Sequence, residues 1–276
     1  MDSSTVERRK GSLRWRRARI LNAWVDSLTV EQVIDVLEEG GVLFTINPEH
    51  LYQLQRNAEF ATAYANATYV SCDSIYVFKV LKLLGRGLEH RASGSDIVPA
   101  YWRRHAADEA VTMFLLGAAP GVADRARHRI NRLAGREIVV GAHGPSFDFL
   151  EDEQETADAI KMINASGATC LVVGLGAPKQ EIWIDRNRQK LPDVKVYMGV
   201  GATIDYEAEA VRRAPTWMRH NGLEWVYRVA TEPRRYLRRY ARNTEFLWLA
   251  LLDALRLYRP PEFGCTMMRG NTVNEV

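Results

Sequence analysis

The stretch VLFTINPEHLYQLQRNAEFATAYANATYVSCDSIYVF, residues 42–78, decides the fold. It opens on an apolar run, VLFTI, rich in β-branched and aromatic residues, and passes through Asn-Pro into a segment with apolar residues three and four apart. It then returns to a second strand-like run, TYVSC (68–72), and opens another helix-like segment at Asp73 and Ser74. Strand, helix and strand in so short a span form a βαβ unit, whose two strands pair in parallel.

The same alternation continues along the chain. VTMFLLG (111–117), EIVVGAH (137–143), TCLVVGLG (169–176) and VKVYMGVG (194–201) have the composition of strands buried on both faces. TVEQVIDVLEEG, EHLYQLQRNAEFATAYANA, SDIVPAYWRRHAADE, GVADRARHRINRLAG, DEQETADAIKMINASG and PKQEIWIDRNRQKLP carry helical spacing, with acids near the start and often Gly at the end. The pattern predicts an α/β protein, a Rossmann-like, doubly wound and mostly parallel sheet over residues 19–210, in which ligands sit at the carboxyl ends of the strands. After residue 210 no strand pattern remains, and residues 211–259 read as a helical appendage rich in Arg and Trp. Residues 1–18 and 260–276 read as flexible tails.

Charge is unevenly placed. The chain of 276 residues has a net charge of only +3, but Val211–Arg259 holds eleven Arg and no Lys against four acids. Such a surplus calls for an anionic partner. Aromatics interleaved with Arg suit either nucleic acid or an anionic membrane surface, and the aliphatic FLWLALLDALRLY beside RRYLRRYAR favours the membrane, although part of that stripe can equally dock on the main domain. Hydrophobic residues make up 47% and charged residues 26%, which fits a globular chain and excludes a disordered or fibrous one. Cys72, Cys170 and Cys265 form no C-x-x-C pair, as expected in a reducing cytoplasm. No apolar run reaches the roughly 18 to 20 residues of a membrane span, and the basic opening lacks a signal-peptide core, so a soluble or peripheral protein is expected.

Several strand ends carry candidate chemistry. Asp73 follows one strand and precedes an apolar helix, where it or Ser74 can cap the helix; a carboxylate there can also accept a proton from an attacking hydroxyl. Thr45 and Asn47 flank the end of the preceding strand, with Asn47 equally a helix cap. Arg91 in HRASGSD can clamp a phosphate or carboxylate, or simply be solvated. LLGAAPG and VVGLGAPKQE place Gly117 and Gly176 between strand and helix, where backbone N–H groups can cradle a diphosphate with Lys179 and Gln180 in reach. Neither turn completes G-x-G-x-x-G, so a nicotinamide-dependent oxidoreductase is the weaker reading, as is a non-enzymatic module that binds membrane or nucleic acid. FDFLEDEQET reads as a helix N-terminus, and the His and Cys residues show no ligand spacing, so no metal is assigned.

Taken together, TINPEHLYQLQRNAEF, CDSIYVFKVLKLLG, RASGSDIVPA, LLGAAPGVA, VVGLGAPKQEIWI, GVGATIDYEAEAVRRAPTWM and GLEWVYRVATEPRRYLRRY resemble, in order and spacing, the WecG/TagA/CpsF family of bacterial glycosyltransferases from about residue 18 to residue 258. The resemblance places Asp73 on the family's proposed catalytic base, Thr45, Asn47 and Arg91 on its pocket, and Gln180 near the nucleotide-sugar. It places Arg228, Arg235 and Arg238 on arginines that hold the diphosphate. It implies an inverting, metal-independent transfer of a hexose or N-acetylhexosamine from a UDP-sugar, with no cofactor, to a polyprenyl-diphosphate-linked sugar. The setting implied is exopolysaccharide or other cell-surface glycan assembly on the cytoplasmic face of the plasma membrane. Membrane contact through the appendage and a homo-oligomer are among the implied partners; nucleic acid is not. Ser74 stands where the family commonly has Gly, and GAHGPSFDF replaces a Gly-Tyr-rich turn, so the donor sugar stays open.

Overall fold

Alternate residues of the apolar runs pack into two separate cores. Val42, Phe44 and Ile46 enter one while Leu43 enters the other; Leu171 and Val173 oppose Cys170 and Val172 in the same way. A sheet with both faces buried needs helices on both sides, and connections between parallel strands supply them. In the computed structural model, which describes residues 5–10, 13–215, 217–218, 223–231, 233 and 244–263, these strands form one mostly parallel sheet in an α/β fold.

The strands are β1 (Thr5–Lys10), β2 (Leu13–Ile20), β3 (Ala23–Asp26), β4 (Gly41–Ile46), β5 (Tyr69–Cys72), β6 (Met113–Gly117), β7 (Val139–His143), β8 (Cys170–Gly174) and β9 (Val196–Gly199). Their order across the sheet is β1-β2-β3-β5-β4-β9-β8-β6-β7. From β3 to β7 every pairing is parallel; β1 and β2 add an antiparallel edge. The helices are α1 (Val30–Leu37), α2 (Pro48–Gln53), α3 (Ala58–Ala65), α4 (Ile75–Leu83), α5 (Gly94–Arg104), α6 (Val122–Ala134), α7 (Glu153–Ser166), α8 (Lys179–Asn187), α9 (Thr203–Glu207), α10 (Glu224–Thr231) and α11 (Glu245–Ala254). The segment 49–67, expected as one helical stretch, divides into α2 and α3 because the Asn57 side chain accepts the Phe60 N–H at 3.0 Å and starts a second helix.

The N-terminal tail expected over residues 1–18 is corrected by β1 and β2. Buried Asp26 ties them to the sheet: it accepts from Trp15 Nε1 at 2.7 Å and the Val70 N–H at 2.8 Å, and pairs with Arg17 at 3.0 Å and Arg8 at 4.0 Å. The Arg8 guanidinium lies over the Trp15 and Tyr69 rings, at 5.8 and 5.5 Å from their centroids, and its Nη1 donates to the Thr68 carbonyl at 2.6 Å.

At the other end, α11 docks on the main body. Phe246, Ala250 and Asp253 face inward, and the Asp253 carboxylate accepts the Leu21 N–H at 3.1 Å and pairs with Arg86. Glu245 takes both contacts from Arg56, at 2.6 and 2.8 Å, and Tyr258 donates to Gln55 at 2.6 Å. Leu247, Trp248, Leu251 and Leu255 point away and are about half exposed or more. Replacing Asp253 by Ala removes the carboxylate paired with buried Arg86 and leaves its Nη1 the Arg19 carbonyl at 3.0 Å, and loss of one charged partner of such a pair costs about 3 kcal/mol. Urea unfolding of Asp253→Ala should show a loss of about that size, and a second change, Arg86→Met, should recover much of it.

Candidate active site

Parallel register brings the site together. Ile46 pairs with Cys72, Phe44 with Gly199, Val173 with Gly199 and Gly117 with Gly174, so the carboxyl ends of β5, β4, β9, β8 and β6 form one continuous rim. Asp73 sits on this rim directly after β5. Its N–H donates to the Ile46 carbonyl at 3.0 Å, and its carbonyl accepts from Arg91 Nη1 at 2.7 Å. Ser74, not Asp73, is the N-cap of α4: its hydroxyl accepts the Tyr76 N–H at 3.2 Å. The carboxylate charge reaches inward, where with burial it pushes up the Cys72 thiol and, after burial and Glu181, the Tyr64 hydroxyl.

On the adjacent strand, Asn47 caps α2, accepting the N–H groups of Glu49 at 2.9 Å and His50 at 3.3 Å. Thr45 is buried, and its hydroxyl donates to the Gly199 carbonyl at 3.3 Å, tying β4 to β9. Asp73, Asn47 and Arg91 therefore gather at one part of the rim, with Thr45 as a tie beneath it.

The glycine turns form the other part. Gly176 has a left-handed φ of 77° with open space where a Cβ would stand. Gly117, at φ 132°, meets Gly174 so closely that a Cβ would lie 2.5 Å from its carbonyl carbon. Gln180 is almost fully buried, and its Oε1 accepts two N–H groups, from Gly176 at 3.2 Å and Gly201 at 3.0 Å. It thus fixes the turns after β8 and β9 relative to each other. Lys179 turns outward, donating to the Phe147 carbonyl and lying 4.1 Å from the centre of the Phe147 ring. Arg228 lies in α10, and its side chain falls outside the described residues, as do Arg235 and Arg238 altogether. Among the described residues no three His, Cys, Asp or Glu side chains gather as a metal site, and no helix is long and apolar enough to cross a membrane.

Beneath the rim runs a buried chain that sequence reasoning missed. Tyr64 OH meets His50 Nδ1 at 2.7 Å, His50 Nε2 faces Glu181 Oε1 at 3.6 Å, and the same oxygen accepts Gln180 Nε2 at 2.7 Å. Glu181 is wholly buried, and its Oε2 has no hydrogen-bond partner among the described residues. Burial pushes its carboxyl up to about 7 against the opposing pull of the Gln180 hydrogen bond. In the sequence Glu181 reads as an ordinary acid in a first helical turn. The hint was its place directly after Gln180, in a helix that follows a glycine turn.

An acidic residue at a strand end, an arginine bonded to its backbone and glycine turns thus share one rim of a Rossmann-like sheet. The profile of the Glycosyl transferase WecG/TagA/CpsF family matches residues 18–260, and the chain belongs to that family; it is a glycosyltransferase. A relative from Bacillus spizizenii, described as an N-acetylglucosaminyldiphosphoundecaprenol N-acetyl-beta-D-mannosaminyltransferase, is 32% identical over 201 residues, which cover 72% of this chain and 75% of the relative.

The buried carboxyl makes stability depend on pH. With the native pKa raised from 4.5 to about 7, the folded state keeps a proton the unfolded chain has lost, so this contribution is fully present below pH 4.5 and disappears as pH rises through 7. Glu181→Gln, neutral at every pH, should match wild type in acid and exceed it above neutrality by an amount on the order of 3 kcal/mol. Melting curves across that range check this; a difference that does not change with pH would mean the carboxylate stays ionised against His50.

Proposed function

We propose that the enzyme transfers a hexose or N-acetylhexosamine from a UDP-sugar to a polyprenyl-diphosphate-linked sugar, with inversion and without a metal, in the assembly of a cell-surface glycan such as an exopolysaccharide. The observation that carries this reading is Asp73: it stands at the strand-end rim, its backbone is fixed from two sides, and the N-cap of the following helix is Ser74. The Bacillus spizizenii relative supports a lipid-linked acceptor, since its described substrate is an undecaprenyl diphosphate carrying N-acetylglucosamine.

In the proposed step Asp73 takes the proton of the acceptor hydroxyl as that oxygen forms a bond to the anomeric carbon. The bond from that carbon to the diphosphate oxygen breaks on the opposite face, and UDP departs with the electron pair. Charge growing on the diphosphate needs positive groups placed in advance, a role assigned to Arg228, Arg235 and Arg238. The outward Leu247, Trp248, Leu251 and Leu255 of α11, beside the Arg-rich segment, suit a membrane with anionic headgroups, which would hold the enzyme peripherally on the cytoplasmic face near its lipid acceptor.

Asp73→Asn should lower turnover of a UDP-sugar and lipid-linked acceptor by about a hundredfold or more while the melting temperature stays near wild type. Full turnover in this variant would remove Asp73 from the chemistry.

A further inference from the structure

The Arg-rich segment leaves the sheet next to the loop that holds Asp73. After α9 the chain turns at Glu209, in a left-handed conformation with φ 52°, and Arg213 then reaches the first turn of α5. Its guanidinium donates to the Ser95 carbonyl at 3.2 Å, the Ser95 hydroxyl at 2.5 Å and Asp96 Oδ1 at 3.0 Å, and lies 5.6 Å from the centre of the Tyr206 ring. The next residue, Ala214, is buried. Gly94, at the start of α5, lets the backbone press on the exit of β9, where a Cβ would come within 2.8 Å of Val200 Cβ.

The other oxygen of Asp96 accepts the Ser93 hydroxyl at 2.5 Å. Burial alone would raise the Asp96 carboxyl; the Ser93 hydroxyl, Arg213 and then Arg91 overturn this and hold it below the usual carboxylate range. Arg91 thus has two claims on it, the Asp96 charge and the Asp73 carbonyl at 2.7 Å.

We propose that Asp96 and Arg213 form a latch that sets the root of the Arg-rich segment against the loop carrying Arg91, and so make both of them positioning residues for the transfer. The inference rests on the proposed role of that segment in completing the site. With Arg213 in place, Asp96 is shared between two arginines. Without it Arg91 is drawn toward Asp96 and away from the Asp73 carbonyl, while the segment loses its anchor.

A double-mutant cycle on the full-length enzyme tests this, with kcat, donor KM and melting temperature measured for each variant. Arg213→Met and Asp96→Asn should each lower kcat roughly tenfold with donor KM within about twofold of wild type, because arginines that stabilise leaving charge act in the transition state. The double variant should be no slower than the slower single one. Arg213→Lys, which keeps the charge, should recover most of the loss and carries the test if the methionine variant fails to fold. Arg129 of α6 and Glu209 form a comparable ion pair at 3.0 Å just before that segment begins, so Glu209→Gln should leave kcat unchanged. Independent, multiplying losses, or an equal loss in Glu209→Gln, would overturn the latch. If Arg213→Met keeps full turnover while Arg235→Ala with Arg238→Ala loses it, the latch falls and the proposed function stands. If both keep it, the role of the segment falls as well, and the latch with it.

Discussion

The site depends on how the backbone of Asp73 is held. Its N–H is bonded to the end of β4 and its carbonyl to Arg91, so the residue cannot turn without breaking a tie to the neighbouring strand or to the loop before α5. A carboxylate expected to take a proton must also escape the helix N–H groups behind it, since such bonds favour the charged form and weaken it as a base. Ser74, the N-cap of α4, supplies a hydroxyl that accepts the Tyr76 N–H in the first turn of that helix. Where the family commonly has Gly, this chain has a residue that itself supplies a cap.

The remaining parts follow from the same rim. Parallel pairing ends β4, β5, β8 and β9 in step, and Gln180 joins the turns after β8 and β9 through one oxygen and two backbone N–H groups. Those turns are therefore ordered before any ligand arrives, which is the condition under which fixed dipoles act on developing charge without reorganising. The polar chain from Gln180 through Glu181 and His50 to Tyr64 lies buried beneath the rim and joins α8 to α2 and α3.

Much of this was legible in the sequence, for identifiable reasons. Runs such as VLFTI and CLVVG are apolar at almost every position because both sheet faces are covered, and the turn after each run is then the natural place for chemistry, which led to Asn47, Asp73 and Gly176. The N-terminal strands stayed hidden because two of their arginines, Arg8 and Arg17, and Trp15 converge on Asp26, a carboxylate whose burial no local pattern reveals. Gln180 was read as reaching for a ligand, yet its amide is committed to two glycine turns and to Glu181. Pairs such as Glu181 with His50 and Arg213 with Asp96 join residues more than a hundred positions apart, and each member alone looks like an ordinary helix-end or loop charge.

The central claim is that the Asp73 carboxylate takes the acceptor proton, and the dependence of kcat/KM on pH tests it most directly. Wild type should lose activity toward acid as the essential base is protonated, and the residual activity of Asp73→Asn should lack that acid limb over the same range. An acid limb of the same position and depth in both enzymes would contradict the account.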